Sequence, residues 1–163
     1  MLSQRLQLSI PLPDRPGWLI VREKGSFLVL DHAATGSRLV VRIWQEGENM
    51  SRERCEDVTR LIRDVPTVER VIDERVIEVP EGFDTAVRVG FSTPRATGVP
   101  PTAPIAGHVL AFGASARWCF AFVYSTEADG PAAERTIGDR LAVIRGLTLG
   151  GLERRLSADI DGP

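Results

Sequence analysis

The sequence has little of what marks nucleic-acid-binding and metal-binding proteins. It contains two cysteines, two histidines and, among 20 basic residues, the single lysine Lys24. The formal net charge is -2, and the arginines are scattered along the chain instead of being gathered into one run. Such a charge distribution gives no basic surface that would attract a polyanion. We therefore expect no nucleic-acid partner.

Long apolar runs are also missing. No run reaches the roughly 18 apolar residues of a membrane span, and segment 1–14 lacks the apolar core of roughly 7 to 15 residues found in signal peptides. We expect the given chain to be soluble and not to insert into a membrane. Two locations remain open: the cytoplasm, or the bacterial envelope with an export signal that was removed ahead of Met1.

Catalytic motifs are absent from the sequence. It has no G-x-S-x-G, Walker, G-x-G-x-x-G or H-E-x-x-H pattern. His32 follows Asp31 directly in a predicted turn, and His108 begins a predicted strand, a position that is more often structural than catalytic. Neither histidine has metal ligands at zinc spacing. We expect a protein that is not an enzyme and has no metal or cofactor; a deep pocket with either histidine beside a carboxylate would change that expectation.

The length and composition fit one globular domain. A chain of 163 residues with 43% hydrophobic and 26% charged residues can bury a sizeable core without a metal. We expect a single domain over residues 1–149 and a polar tail over residues 150–163.

The most apolar stretch, residues 107–126, predicts two strands joined by a tight turn around Gly113 and Ala114. Side chains of a strand alternate between its faces, so the second strand has one aromatic face and one small face. A strand that is apolar on both faces belongs in the middle of a sheet. The aromatic face carries Trp118, Phe120, Phe122 and Tyr124, and the small face carries Cys119, Ala121 and Val123.

The rest of the chain predicts further strands and two main helices. Alternating apolar residues predict strands at 6–12, 18–21, 27–30, 37–44, 71–79 and 83–91. Apolar residues three and four apart predict one helix over 52–65, capped by Ser51 and ended by Pro66, and a second that begins at Pro131 and buries Ala133, Ile137, Leu141 and Ile144. The expected fold is α+β, an antiparallel sheet of about six to eight strands with two helices packed on it.

The two cysteines are predicted to face the same helix–sheet interface. Cys55 lies on the apolar stripe of the first helix, and Cys119 lies on the small face of the central strand. A disulfide between them would close a loop of 64 residues, which chain-entropy models value at about 4 kcal/mol. We favour this disulfide, which would imply an oxidising compartment, over two buried free thiols.

Several segments together resemble a known fold family. They are the opening IPLPDRPGW at residues 10–18, the helix after Trp44, and residues 119–144, where an aromatic strand ending in Tyr124-Ser125-Thr126 leads into an amphipathic helix. This order is similar to the Mog1/PsbP-like fold, which includes bacterial lipoproteins of the DcrB type and related small chaperones. The resemblance implies an antiparallel sheet with helices on its faces and a role without bond chemistry. It carries over no functional residue.

Two functions remain open from the sequence. The first is a non-enzymatic accessory or binding domain of the bacterial cell envelope. The alternative is a cytosolic adaptor or chaperone that docks a helix of a partner protein on an exposed apolar patch. For either one the partner is another protein of unknown identity. The predicted contact surface lies near Trp18, near Trp44 or on the proline-rich loop 92–104, which contains Pro100 and Pro101.

Overall fold

The computed structural model describes residues 8–25, 27–45, 50–61, 65–66, 70–76, 84–92, 104–115, 117–144 and 148–149. The strands are β1 (Leu8–Ser9), β2 (Leu19–Lys24), β3 (Phe27–His32), β4 (Ser37–Gln45), β5 (Arg70–Val76), β6 (Asp84–Ser92), β7 (Ile105–Ser115), β8 (Trp118–Ala128) and β9 (Thr148–Leu149). The helices are α1 (Arg52–Arg60) and α2 (Ala133–Ile144), and a short 3-10 turn, Ala33–Thr35, joins β3 to β4.

Seven of the strands form one open antiparallel sheet in the order β2-β3-β4-β8-β7-β6-β5. The sheet consists of two meanders, β2 to β4 and β5 to β8, which meet where β4 pairs with β8. Its edges are β2 and β5. Separately, β1 pairs with β9 through Leu8 and Leu149. The predicted α+β class, with an antiparallel sheet and two helices, is confirmed.

The central hairpin forms as predicted, but its turn was placed wrongly. Gly113 and Ala114 lie within β7, opposite Phe120 and Cys119 of β8, and the last pair of the hairpin is Ser115 with Trp118. A glycine inside a strand leaves space beside its cross-strand neighbour. Gly113 therefore sits opposite the large ring of Phe120 without breaking the strand.

The aromatic face of β8 lies in the main core. Phe122 and Tyr124 are fully buried there, and α2 covers this face with the stripe that its sequence predicts. The helix lies so close to β7 that a Cβ added to Gly107 would overlap Cγ2 of Ile137. The buried residues of α2 are Ala133, Ile137, Leu141 and Ile144.

The opposite, small face of β8 receives α1. Ser51 caps this helix by accepting a hydrogen bond from the backbone N–H of Arg54 at 3.2 Å, as predicted. The helix ends at Arg60 and does not continue to residue 65. Val65 is not helical, as expected for the residue before Pro66.

The amino-terminal strand is shorter than predicted. Within the described residues it ends at Ser9 and does not reach Leu12, because Pro11 and Pro13 lack the N–H groups that a longer ladder needs. Ile10 and Leu12 still pack against the core. Strands β5 and β6 lie close to the predicted positions.

Some predictions fall outside the described residues. These are residues 93–103 of the proline-rich loop with Pro100 and Pro101, and the tail 150–163. In the part of the chain that the structure describes, no helix is long and apolar enough to cross a membrane.

Candidate functional site

A cavity of about 230 Å³, here called the arginine groove, lies on the sheet face that carries α1. It opens where α1 leaves β3 and β4 uncovered. Three arginines from β2 and β4, Arg22, Arg38 and Arg42, stand at its rim. Its floor is apolar and consists of Phe27, Val29, Val40, Ala121 and Val123.

The three arginines have different partners. Arg38 makes two hydrogen bonds to the carboxylate of Asp31, at 2.7 and 2.8 Å. This contact, chiefly the hydrogen bond itself, lowers the pKa of Asp31. Arg22 and Arg42 instead lie over aromatic rings, 5.2 Å from the centroid of Phe27 and 5.4 Å from that of Trp44.

A second cavity of about 400 Å³, here called the histidine cavity, adjoins the groove and shares Arg38 and Ser125 with it. Both histidines of the chain line it, together with Asp31, whose carboxylate is bound by Arg38, and the exposed Glu127. The sequence did not indicate this meeting of His32 and His108. It results from the register that brings β3, β4, β8 and β7 side by side.

His108 is held as a neutral imidazole in this cavity. The residue is only 5% exposed, and burial lowers its pKa to about 4. Its Nδ1 shares a hydrogen bond of 2.9 Å with Oγ of Ser125, directly across the strand pair. At neutral pH this side chain can accept or donate a hydrogen bond but carries no charge.

A serine beside an imidazole invites comparison with an activated nucleophile. Such a nucleophile also needs donors for the oxyanion that forms during the reaction. Ser125 lies within β8, which pairs with β4 on one side and β7 on the other. The strand ladders occupy the backbone N–H groups around Ser125, so these groups cannot serve as oxyanion donors.

His32 connects the segment before β2 to the turn between β3 and β4. Its Nδ1 shares a hydrogen bond of 2.8 Å with Oγ1 of Thr35, and its Nε2 lies 3.3 Å from the carbonyl oxygen of Pro16, which accepts. The ring lies 5.4 Å from that of Trp18. Gly17, with a φ of +134°, lies so close that a Cβ there would overlap Nε2 of His32.

A chain of polar side chains continues from His32 into the core. Oγ1 of Thr35 donates to Oγ of Ser37, which donates to Oγ1 of Thr126, each at 2.8 Å. Arg140 of α2 completes the chain by donating to Thr126 at 3.1 Å and to Asp14 at 2.8 Å. The hydrogen-bonded chain of these residues was not predicted from the sequence. Its only sign there is the presence of polar residues inside apolar elements.

The two cysteines form a disulfide that joins α1 to β8. Their Cα atoms are 5.5 Å apart, and both side chains are fully buried. The hydroxyl of Thr59 donates to the carbonyl oxygen of Cys55 at 2.7 Å, one turn along the helix. The disulfide thus fixes the wall of the arginine groove that α1 provides.

The tryptophans proposed as a contact surface are both half-buried. Nε1 of Trp18 donates to the carbonyl oxygen of Pro13 at 2.8 Å, and its ring packs near Tyr124. Trp44 packs against the cluster around the disulfide, with a buried Nε1 that has no hydrogen-bond partner. Both indole groups therefore act mainly in packing.

Three consecutive exposed apolar residues lie at the sheet edge, apart from the isolated Leu61 after α1 and Val143 of α2. Leu19, Ile20 and Val21 of β2 are 65%, 62% and 54% exposed. They are consecutive, and the same strand continues into Arg22 at the rim of the arginine groove. This run is here called the β2 edge.

Comparisons with known proteins give no family for the chain. No protein-family model matches it, and no curated protein is significantly similar to it. Among the described residues, no three side chains of His, Cys, Asp or Glu are grouped so that they could hold a metal ion.

Proposed function

We propose that this chain is a non-enzymatic binding domain that adds an extended segment of a partner protein to its sheet at the β2 edge. The observation that carries the proposal is the exposure of Leu19, Ile20 and Val21 on an edge strand. An edge strand offers unpaired N–H and C=O groups, and an added strand satisfies them while covering the apolar side chains.

The β2 edge is short enough to be selective. It forms only the first half of strand β2, whose second half carries Arg22, Glu23 and Lys24. A bulge at Val21 shifts the register between Ile20 and Arg22. Charges and bulges limit unspecific pairing of edge strands, so a partner is selected by the three apolar positions and by the charges that follow them.

We further propose the bacterial envelope as the place of action. The disulfide between Cys55 and Cys119 supports an oxidising compartment. The Mog1/PsbP-like fold is part of the same proposal. It is supported by the antiparallel sheet with one helix on each face and by the order of strands, helix, strands and helix.

Photo-crosslinking in cells of the native host tests the partner proposal. A photoreactive phenylalanine analogue replaces Ile20 in one variant and Val143 of α2, which is 41% exposed, in the control. We expect a protein adduct at position 20 and none at position 143. With the captured partner purified, Ile20→Lys should weaken binding by about tenfold or more, since it places a charge against an apolar contact.

Two results would contradict the proposal. One is the absence of any adduct at position 20; the other is equal adducts at both positions. A purified partner that binds the Ile20→Lys and Val143→Lys variants as tightly as the original chain would also exclude docking at the β2 edge.

A further inference from the structure

The volume of the arginine groove is suited to a small apolar molecule. Its volume is about 230 Å³, below the roughly 300 to 1,000 Å³ of pockets for drug-sized ligands. At the volume of about 30 Å³ that a water-sized group occupies in a liquid, it holds about eight such groups. The floor residues Val29, Ala121 and Val123 are less than 9% exposed, so the space lies against the buried sheet.

The charge at the rim of the groove is positive. Among the described residues that line it, none is acidic. Asp31 neutralises Arg38 from outside the groove, whereas Arg22 and Arg42 make no ion pair in the part of the chain that the structure describes. Two guanidinium groups therefore stand uncompensated beside an apolar floor.

The aromatic rings hold these two guanidinium groups in place. Cζ of Arg22 lies over the ring of Phe27 and Cζ of Arg42 over that of Trp44, so each guanidinium group is held by a cation–π contact and not by a carboxylate. An ordered guanidinium loses less conformational freedom when it binds an anion. The planar fork matches a carboxylate, which it can hold with two parallel hydrogen bonds.

We propose that the arginine groove binds a small amphipathic carboxylate of about eight carbons, with its head between Arg22 and Arg42 and its tail over Val29, Val40 and Val123. A single negative charge matches the open guanidinium groups, and the tail matches the floor. The volume excludes a two-chain lipid. This inference is independent of partner docking at the β2 edge, because the ligand occupies the sheet face and not the backbone of the edge.

Titration with octanoate, followed by amide chemical shifts and by calorimetry, tests the inference. We expect a dissociation constant in the millimolar range or below and shifts at the amides of Val29, Val40 and Val123. Octyl glucoside has the same tail without the charge and should bind at least about tenfold more weakly, as should acetate, which lacks the tail. Raising the salt concentration should weaken octanoate binding, because the charge contact is partly exposed.

Matched variants distinguish binding of octanoate in the groove from a general attraction of its carboxylate to any arginine. Arg42→Gln should weaken octanoate binding by about tenfold, whereas Arg135→Gln, an exposed arginine of α2 on the opposite side of the sheet, should leave it unchanged. Equal octanoate affinity in Arg42→Gln and the original chain would overturn the inference. Shifts confined to residues outside the groove would overturn it too, as would no shifts at about 10 mM octanoate, a concentration well above the expected range.

Discussion

Arginine supplies 19 of the 20 basic side chains of this protein, and the chemistry of that residue decides what the sheet face can bind. A guanidinium group can lie over an aromatic ring, as those of Arg22 and Arg42 do, and still offer donors along its edge. An ammonium group is a compact point charge that cannot make both contacts. Arginine to lysine changes at these two positions are therefore not conservative.

His108 should make the stability of the protein depend on pH. Burial lowers its pKa to about 4 in the folded state, against 6.5 for the free side chain. Between these values the unfolded chain binds a proton that the folded chain does not, so stability falls as the pH drops from about 6.5 to about 4. From pH 7 to pH 4.5 the loss should be about 2 kcal/mol. Urea unfolding at both values measures it.

The variant His108→Gln is the matched comparison for this prediction. Glutamine keeps a hydrogen-bonding group near Ser125 but does not titrate. Asp31 and Glu127 line the same cavity and are present in both proteins, so their titration cancels in the difference. A pH dependence that is the same in the variant and the original chain would show that His108 is not the responsible group.

At the scale of elements, sequence periodicity predicted the features that depend only on residues close together in the sequence. The stripe of α2, the cap at Ser51 and the strand Ser37–Gln45 all follow from local patterns. The misplaced turn at Gly113 shows the limit of such patterns. Glycine is compatible with both a turn and a strand, and at Gly113 only the pairing with Phe120 decides in favour of the strand.

The candidate site could not be predicted for a related reason. Arg38, Ser125 and His108 come from three separate strands, and they meet only because β8 lies between β4 and β7. A shift of one residue in either pairing would place these side chains on the other face of the sheet. The sequence indicated each of these strands and the hairpin of β7 and β8, but not that β4 pairs with β8.

The contact of β7 with α2 should not tolerate a side chain at Gly107. A Cβ there would overlap Cγ2 of Ile137 and lie 3.2 Å from Cδ1 of Leu141. We expect Gly107→Ala to destabilise the protein by about 1 to 3 kcal/mol, as overpacked cores do. Urea unfolding of the variant and the original chain measures the difference.

Two further variants control this measurement. Gly138→Ala lies in α2, where a Cβ would meet nothing within 4 Å, so it should stabilise the helix by about 0.5 to 1 kcal/mol. In the background Ile137→Ala, the cost of Gly107→Ala should fall by more than half, because the overlapping group is gone. An undiminished cost in that background would show that the overlap is not the cause.

At the scale of the whole molecule, the disulfide is a covalent cross-link between the two meanders, in addition to the polypeptide chain itself. It connects α1, which follows the first meander, to β8 of the second across a separation of 64 residues. Reduction should lower the free energy of unfolding by about 4 kcal/mol, because the reduced unfolded chain regains the freedom of that loop. Urea unfolding with and without reductant checks this, and a Cys55→Ala/Cys119→Ala variant should be insensitive to reductant.

The same bond tests the proposed compartment. Cells quenched with acid and then dissolved in denaturant with a thiol-alkylating reagent should yield Cys55 and Cys119 unmodified if the protein works where disulfides persist. Two alkylated cysteines would contradict the envelope as its place of action. They would support the alternative of a cytosolic adaptor.

The pairing of β4 with β8 has a consequence for how the protein is made. A ribosome releases the first meander complete to β4, whose outer edge then has no partner until β8 has also been synthesised, more than 70 residues later. During that interval Val40 and Trp44 lie on an open strand and Cys55 is a thiol without its partner. The chain is therefore most exposed to mispairing just before its second half becomes available, and a chaperone would have to act in that interval.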